Sequence, residues 1–221
     1  MAQFESPGPA RRWLLRLVLT AVVLALWFWT QSLIGARTPP AGGLRDALHD
    51  LTAGLNSYFA QNPAAANALL IVSSALIDGL GLFLLGRWLF AGSIRPFLGL
   101  FLLMALRQLM QAICSLPPPP GMIWHYPGFP SLLVTYHVAN DFFFSGHTAI
   151  AVFGALELSR LHRTWLTAGA VLLVAFEIAT VLTLRAHYTM DVFTGIVAAL
   201  WIARVVERLS PRLDRLLGSP H

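Results

Sequence analysis

The sequence contains no lysine and a single cysteine, and charged residues make up only 11% of its 221 residues. One cysteine cannot form an internal disulfide, which excludes the small secreted scaffolds that disulfides hold together. All fifteen basic residues are arginine, and they lie between apolar runs rather than in one patch. The formal net charge of +5 therefore does not indicate a nucleic-acid partner.

Apolar residues dominate the amino-acid composition. They form 57% of the chain, and the mean hydropathy is +0.67, which is typical of a membrane protein. A membrane span needs about 20 apolar residues and must be helical where lipid surrounds it. The sequence therefore predicts an all-α polytopic membrane protein with six transmembrane helices. We expect them over residues 13–35, 64–86, 96–115, 142–159, 164–184 and 188–207.

The first apolar segment and the loop behind it allow more than one interpretation. The segment could be a secretory signal peptide with "LIGA" at residues 33–36 as its cleavage site. Its apolar core exceeds the usual length of about 7 to 15 residues, which favours a retained helix. Residues 36–63 are rich in turn-forming and polar residues and predict an exposed loop, with a short interfacial helix over residues 44–60.

The arginines predict the orientation of the helices. When six helices alternate, eleven of the fifteen arginines fall on the side of the N-terminus. Cytoplasmic loops carry such an excess, so we expect both termini in the cytoplasm. The use of arginine alone and the richness in alanine and leucine are compatible with a bacterial inner-membrane protein. The eleven are Arg11, Arg12, Arg16, Arg87, Arg95, Arg160, Arg163, Arg204, Arg208, Arg212 and Arg215.

Two histidine-containing stretches, "DFFFSGHTAI" at residues 141–150 and "RAHYTMDVFTG" at residues 185–195, begin the fourth and sixth predicted helices. Both helices start on the outer side, so His147 and His187 are expected at one depth. Helix N-termini favour anions such as phosphate. His187 and Asp191 are spaced i, i+4, so the carboxylate can accept a hydrogen bond from the imidazole. This pattern indicates a nucleophile with an orienting carboxylate, and a second histidine for proton transfer.

Four further residues are candidates for contacts with a phosphate group. Ser145 precedes the fourth helix and is predicted to cap it. Gly146 lets the backbone approach a phosphate, or eases helix packing. Arg107 lies roughly 12 Å below the outer end of the third helix, where a charge needs a partner or a watery cavity. Arg185 precedes the second histidine stretch and could hold phosphate oxygens.

Other polar residues carry less information. Asp78 and Glu177 lie in apolar helices with no partner evident from the sequence, and they are not predicted to be catalysts. The histidines and carboxylates have no spacing typical of a metal site, so neither a metal nor another cofactor is expected.

The joint pattern resembles the sphingomyelin synthase branch of the phosphatidic acid phosphatase type 2 superfamily. The resemblance rests on "DFFFSGHT", on "HYTMDV" some forty residues later, and on "RQLMQAICSLPPPPG" at residues 107–121. It spans about residues 65–208. It implies a catalytic triad on the extracytoplasmic face, with a phosphohistidine intermediate. The triad is His147, His187 and Asp191, and the substrate-binding residues are Arg107, Asp141, Ser145, Gly146 and Arg185.

The pattern departs from that branch in three places, one of which is Cys114 and Ser115 where a threonine precedes Leu-Pro. Ala139 and Asn140 stand where a Cys-Gly pair commonly precedes the aspartate, and a proline-rich motif nearer the N-terminus has no clear counterpart. The departures leave the acceptor open.

The resemblance implies a phosphotransferase that moves a phospho-headgroup from a phospholipid donor to a lipid alcohol of the diacylglycerol or ceramide type. Two alternatives remain, a lipid phosphatase or phospholipase of the same superfamily that uses water, and a non-enzymatic lipid-binding membrane protein. The oligomeric state is left open. The expected parts are a cytoplasmic tail (1–12), a first helix with an outer loop (13–63), the catalytic membrane domain (64–208) and a second cytoplasmic tail (209–221).

Overall fold

A computed structural model describes residues 8–36, 44, 46–136 and 142–217. These residues form eight helices and no strand, which confirms the all-α class. The helices are α1 (Pro9–Gly35), α2 (Ala47–Leu51), α3 (Ala53–Gln61), α4 (Pro63–Ala91), α5 (Arg95–Ile113), α6 (Gly146–Ser159), α7 (Thr164–Thr183) and α8 (Thr189–Leu216).

The described residues hold five candidate membrane spans rather than the six expected. Helices α1, α4, α5, α7 and α8 are long and apolar enough to cross a membrane. The span predicted over residues 142–159 is shorter, because Ser145 caps α6 and the three phenylalanines before it are not helical. The 14 residues of α6 extend about 21 Å, less than the roughly 30 Å of hydrocarbon in a bilayer.

Helix α6 is the centre of the bundle. It packs against α4, α5, α7 and α8, and nine of its fourteen residues are buried. It packs tightly on α5 at Gly99, where an added Cβ would lie 1.9 Å from the ring of Phe153. The absence of a side chain at Gly99 therefore lets the phenylalanine ring fill the space between the two helices. Helices α6 and α7 also pack closely, as their short connection at residues 160–163 predicts.

Buried polar contacts hold the end of the bundle where α4 ends and α5 begins. Arg95 pairs with Glu157 of α6 at 3.0 Å, and both side chains are almost fully buried. Arg16 of α1 donates to the carbonyl oxygens of Leu89 and Gly92, each at 3.3 Å. Since carbonyls at a helix C-terminus lack intrahelical partners, the arginine satisfies groups that α4 leaves free.

Helices α2 and α3 occupy the segment where an interfacial helix was predicted. They pack against α7, and α3 also contacts α4. The side-chain amide of Asn56 donates to the carbonyls of Thr183, at 3.0 Å, and Gly121, at 3.2 Å. The α2–α3 segment therefore fastens to the end of the bundle where α6 and α8 begin.

Gly195 sets the crossing of α8 over the start of α6. An added Cβ would lie 2.8 Å from the carbonyl oxygen of Ser145, and backbone cannot move aside as a flexible side chain can. We expect Gly195→Ala to lower the free energy of unfolding by roughly 1–3 kcal/mol, measured as a lower Tm in detergent. Gly79→Ala is the control, because no atom lies within 4 Å of its added Cβ. Equal Tm values for the two variants would contradict the close crossing.

Candidate active site

The N-terminus of α6 places His147 in the first turn of a buried helix. The Ser145 hydroxyl accepts a hydrogen bond from the Thr148 backbone N–H at 3.3 Å and lies 3.0 Å from the Thr148 hydroxyl. This confirms the predicted capping role of Ser145. The Ser145 N–H donates to the Asp191 carbonyl oxygen at 3.1 Å, which joins the starts of α6 and α8 directly. The two histidine stretches are therefore neighbours in the fold.

His187 lies in the connection before α8 rather than inside the helix. Tyr188 caps α8, and Asp191 Oδ2 accepts the Tyr188 backbone N–H at 2.8 Å. The i, i+4 argument for a helical pair therefore does not apply to His187 and Asp191. The distance from His187 Nδ1 to Asp191 Oδ2 is 3.7 Å, too long for the direct hydrogen bond that the spacing predicted. The carboxylate is still within ion-pair range of the ring.

A backbone carbonyl fixes the His187 ring instead. Nδ1 of His187 lies 2.8 Å from the carbonyl oxygen of Phe142. A carbonyl can only accept, so Nδ1 carries the hydrogen and Nε2 keeps its lone pair when the ring is neutral. The tautomer suited to attack through Nε2 is thus set by the non-helical stretch ahead of α6.

Arg107 is held by the same stretch. Its Nε donates to the carbonyl oxygen of Phe144 at 3.0 Å, and its Nη1 donates to Gln31 Oε1 of α1 at 3.4 Å. The side chain is buried, with 7% exposed. A Cβ at Gly146 would lie 3.1 Å from Arg107 Nε, so the glycine makes room for the guanidinium. This is the structural reason for a glycine beside His147.

These groups share one cleft. The charged and histidine side chains of the lining come from α5, α6 and the α7–α8 connection, while mainly tryptophans and aliphatic residues form the walls. The cleft holds about 480 Å³ of empty space, part of it open to solvent. Trp124 packs edge-on against the His147 ring, with centroids 5.0 Å apart. The lining includes Arg107, His147, His187, Gly146, Phe142, Trp27, Trp124, Met104 and Leu133.

Two predicted binding residues that the structure describes, Ser145 and Arg185, are not among those that line the cleft. The guanidinium of Arg185 donates to the carbonyl oxygens of Pro120, at 2.7 Å, and His49, at 3.3 Å, on the outer surface. Arg185 therefore ties the α2–α3 segment to the loop after α5, and its role as a phosphate ligand stays a prediction. Asp141 lies outside the described residues.

Asp78 and Glu177 have partners that the sequence did not reveal. The Asp78 carboxylate accepts the backbone N–H groups of Leu132, at 2.7 Å, and Leu133, at 2.8 Å. Since Leu133 lines the cleft, Asp78 holds one of its walls in place. Glu177 accepts a hydrogen bond from the Ser73 hydroxyl at 2.6 Å. Neither carboxylate lines the cleft. No three histidine, cysteine, aspartate or glutamate side chains among the described residues group as metal ligands would.

Sequence reasoning missed a group of contacts from α2 onto His187 and its neighbours. His49 is buried, and its Nε2 lies 2.9 Å from the His187 carbonyl oxygen, to which it donates. Its ring stacks on Tyr188 at a centroid distance of 5.6 Å. Asp46 caps α2 and accepts the Thr189 backbone N–H at 2.5 Å and its hydroxyl at 2.6 Å. Asp46 and His49 lie some 140 positions before their partners, and no local motif marks such a pairing.

Asp46 links the stability of this region to pH. Burial alone would raise the pKa of Asp46, but the hydrogen bonds from Thr189 and the nearby His49 lower it on balance. Its stabilising contribution is therefore present at neutral pH and is lost as pH falls below the ordinary value of 3.8. We expect Asp46→Asn to cost about 1 kcal/mol at pH 7, seen as a lower Tm, and the difference to shrink below about pH 4.

Thr189→Val is the matched partner variant for this measurement. Because the two side chains share one interaction, the loss in the double variant should be smaller than the sum of the single losses. Additive losses, or a difference between wild type and Asp46→Asn that is constant with pH, would show that the carboxylate does not act through Thr189.

Comparison with known proteins identifies a family that matches most of this chain. The profile of the AtPDCT1/2 family matches residues 45–208, which include the α2–α3 segment and every residue that lines the cleft except Trp27 of α1. The phosphatidylcholine:diacylglycerol cholinephosphotransferase 1 of Arabidopsis thaliana is 23% identical over 193 residues. That alignment covers 87% of this chain and 60% of the relative, so the chain spans less than two thirds of the relative's length. No solved structure matches. The family match extends over most of the chain, which shows that the chain belongs to the AtPDCT1/2 family.

Proposed function

We propose that this protein transfers the phospho-headgroup of a phospholipid to a lipid alcohol, by way of a phosphohistidine on His187. The observation that carries the proposal is the Nδ1 hydrogen bond to Phe142, which leaves Nε2 as the free nitrogen of a histidine that lines the cleft. The relative from Arabidopsis thaliana is named for phosphatidylcholine and diacylglycerol. We take these as the donor and acceptor to test first, with ceramide as a parallel acceptor.

The first half of the proposed reaction forms the covalent intermediate. Nε2 of His187 attacks the phosphorus, the N–P bond forms, and the bond from phosphorus to the diacylglycerol oxygen breaks. The negative charge of the bound phosphodiester favours protonation of His147, which then gives its proton to the departing oxygen. A proton delivered in this way commonly accelerates such a step by roughly 10² to 10⁴.

The second half reverses these roles. The hydroxyl of an incoming lipid alcohol loses its proton to His147 and attacks the phosphorus, and the N–P bond breaks to restore His187. If water enters in place of the alcohol, the same steps release the headgroup. The apolar walls of the cleft favour a lipid alcohol as the acceptor.

Two neighbouring charges would stabilise the reaction. A phosphorylated imidazole that keeps hydrogen on Nδ1 is more positive than the free ring, and the Asp191 carboxylate lies 3.7 Å from that nitrogen. Asp191 is fully buried, which strengthens the attraction. Arg107 is fixed to Phe144 beside the cleft, and a positioned cation of this kind stabilises negative charge that builds on phosphate oxygens.

The distribution of arginines along the sequence indicates on which side of the membrane this reaction would take place. When the short α6 is counted as a sixth crossing, both termini lie in the cytoplasm and the starts of α6 and α8 lie on the extracytoplasmic side. We propose that the donor lipid is taken from the outer leaflet.

Purified protein with headgroup-labelled phosphatidylcholine and unlabelled diacylglycerol should yield a new labelled phospholipid. Without an acceptor, an acid-labile labelled protein should accumulate. His187→Ala should lose both signals, because the nitrogen that would carry the phosphorus is gone. Release of free headgroup at an undiminished rate in excess diacylglycerol would identify water as the acceptor, and no product with any acceptor would favour a lipid-binding role. Labelling that persists in His187→Ala would contradict the nucleophile assignment.

His147 can be tested through the leaving group. We expect His147→Ala to slow transfer from phosphatidylcholine by roughly a hundredfold or more. A donor with a nitrophenolate leaving group needs no proton, so label formation from it should stay close to the wild-type rate. Equal losses with the two donors would mean that His147 positions the substrate rather than protonating the leaving oxygen. His125→Ala is a control in the outer loop, where that residue contacts Asn67.

A further inference from the structure

The catalytic cleft continues into an apolar groove between α1 and α5. Trp27 and Met104 line the cleft and also line the groove. Leu133 lines the cleft and an adjoining apolar pocket, which also contains Trp27 and Met104. We call the space between α1 and α5 the α1–α5 groove, and its apolar wall consists of Val23, Leu26, Trp27, Phe101, Met104 and Ala105.

The α1–α5 groove opens where lipid would surround the helices. Leu26 and Phe101 on its rim are exposed, whereas Trp27 and Met104 at its junction with the cleft are buried. From Val23 to Thr30 the groove follows α1 for seven residues, about 10 Å at 1.5 Å per residue. A hydrocarbon chain lying there would touch the protein along its length while its polar end stayed in the cleft.

Trp27 stands at the junction of the two spaces with an unused hydrogen-bond donor. Its indole N–H is buried and has no hydrogen-bond partner among the described residues. Buried donors are normally paired, because leaving one unpaired costs about 1–3 kcal/mol. A glycerolipid has an ester carbonyl between its headgroup phosphate and its acyl chain, which is an acceptor at the matching position.

We propose that the α1–α5 groove binds one acyl chain of the glycerolipid substrate, with the Trp27 indole N–H donating to the ester carbonyl of that chain. The proposal rests on the phosphotransfer function proposed above. The donor and the diacylglycerol acceptor carry the same glycerol and acyl groups, so one groove serves both halves of the reaction. It also aligns the glycerol oxygen with the phosphorus attached to His187.

Filling the groove tests this binding site through chain length. Ala105→Trp should lower kcat/KM for a phosphatidylcholine with sixteen-carbon chains by about tenfold, which corresponds to about two buried methylene groups. Transfer from the six-carbon analogue should stay within about twofold of wild type. Leu109→Trp is the control, because Leu109 is exposed on α5 and does not line the groove. An equal loss for both chain lengths, or none for either, would overturn the proposal.

Removing the indole N–H of Trp27 tests its hydrogen bond to the ester carbonyl. Trp27→Phe keeps an aromatic ring and loses the N–H, so kcat/KM for diester lipid should fall roughly fivefold, the value of one ordinary hydrogen bond. Ether-linked lipid has no carbonyl, and Trp27→Phe should leave its kcat/KM unchanged relative to wild type. A similar loss with both lipids would show that Trp27 acts by packing alone.

Photo-crosslinking distinguishes a failure of the groove assignment from a failure of the proposed phosphotransfer function. A phosphatidylcholine with a photoreactive group midway along one chain should label Leu26 and Phe101 in the purified protein, and unlabelled phosphatidylcholine should compete. Unlabelled phosphatidylcholine should not reduce any labelling at Leu109, which lies outside the groove. If the wild type transfers no headgroup but this saturable labelling remains, the phosphotransfer function fails and the groove stands. If transfer occurs without saturable labelling, the groove assignment fails alone.

Discussion

Two backbone carbonyls, of Phe142 and Phe144, are the contacts on which the site depends. Each belongs to a residue that is not helical, and each accepts a hydrogen bond from a side chain of the cleft, His187 or Arg107. Inside a helix these oxygens would accept backbone N–H groups instead. The late start of α6 therefore frees the carbonyls that set the tautomer of His187 and the position of Arg107. Ser145 makes this possible because it begins the helix immediately after them.

Asp46 and His49, at the start of the α2–α3 segment, fix the backbone around His187. The His187 side chain is fixed by Phe142, while its backbone carbonyl accepts a hydrogen bond from His49. The adjoining start of α8 is held by Asp46 through Thr189. A proposed nucleophile held through both its ring and its main chain loses little conformational freedom on reaction, which is how positioned groups lower a barrier. The α2–α3 segment thus has a structural reason to be part of the region that the family shares.

The sequence predicted the helical class and the meeting of the two histidine stretches, because apolar length and helix direction determine both. It also predicted Ser145 as a cap and a helix within residues 44–60, since these depend on local preferences. The full-length span drawn from residue 142 and the predicted hydrogen bond between His187 and Asp191 were wrong, because neither follows from spacing. They depend on carbonyls and side chains brought together from distant positions. The partners of Asp78, Asp46 and His49 are also distant in sequence, so no local pattern predicts them.

Helix α1 is attached to the rest of the bundle near both of its ends. Arg16 binds carbonyls at the end of α4, and Gln31 contacts Arg107 near the other end. Between these attachments α1 presents mainly apolar side chains toward α5. Hydrocarbon tails are as apolar as leucine, so a lipid chain and a protein side chain fill such a space with nearly equal energy. The surrounding lipid can therefore complete the wall that α1 and α5 leave open along the groove.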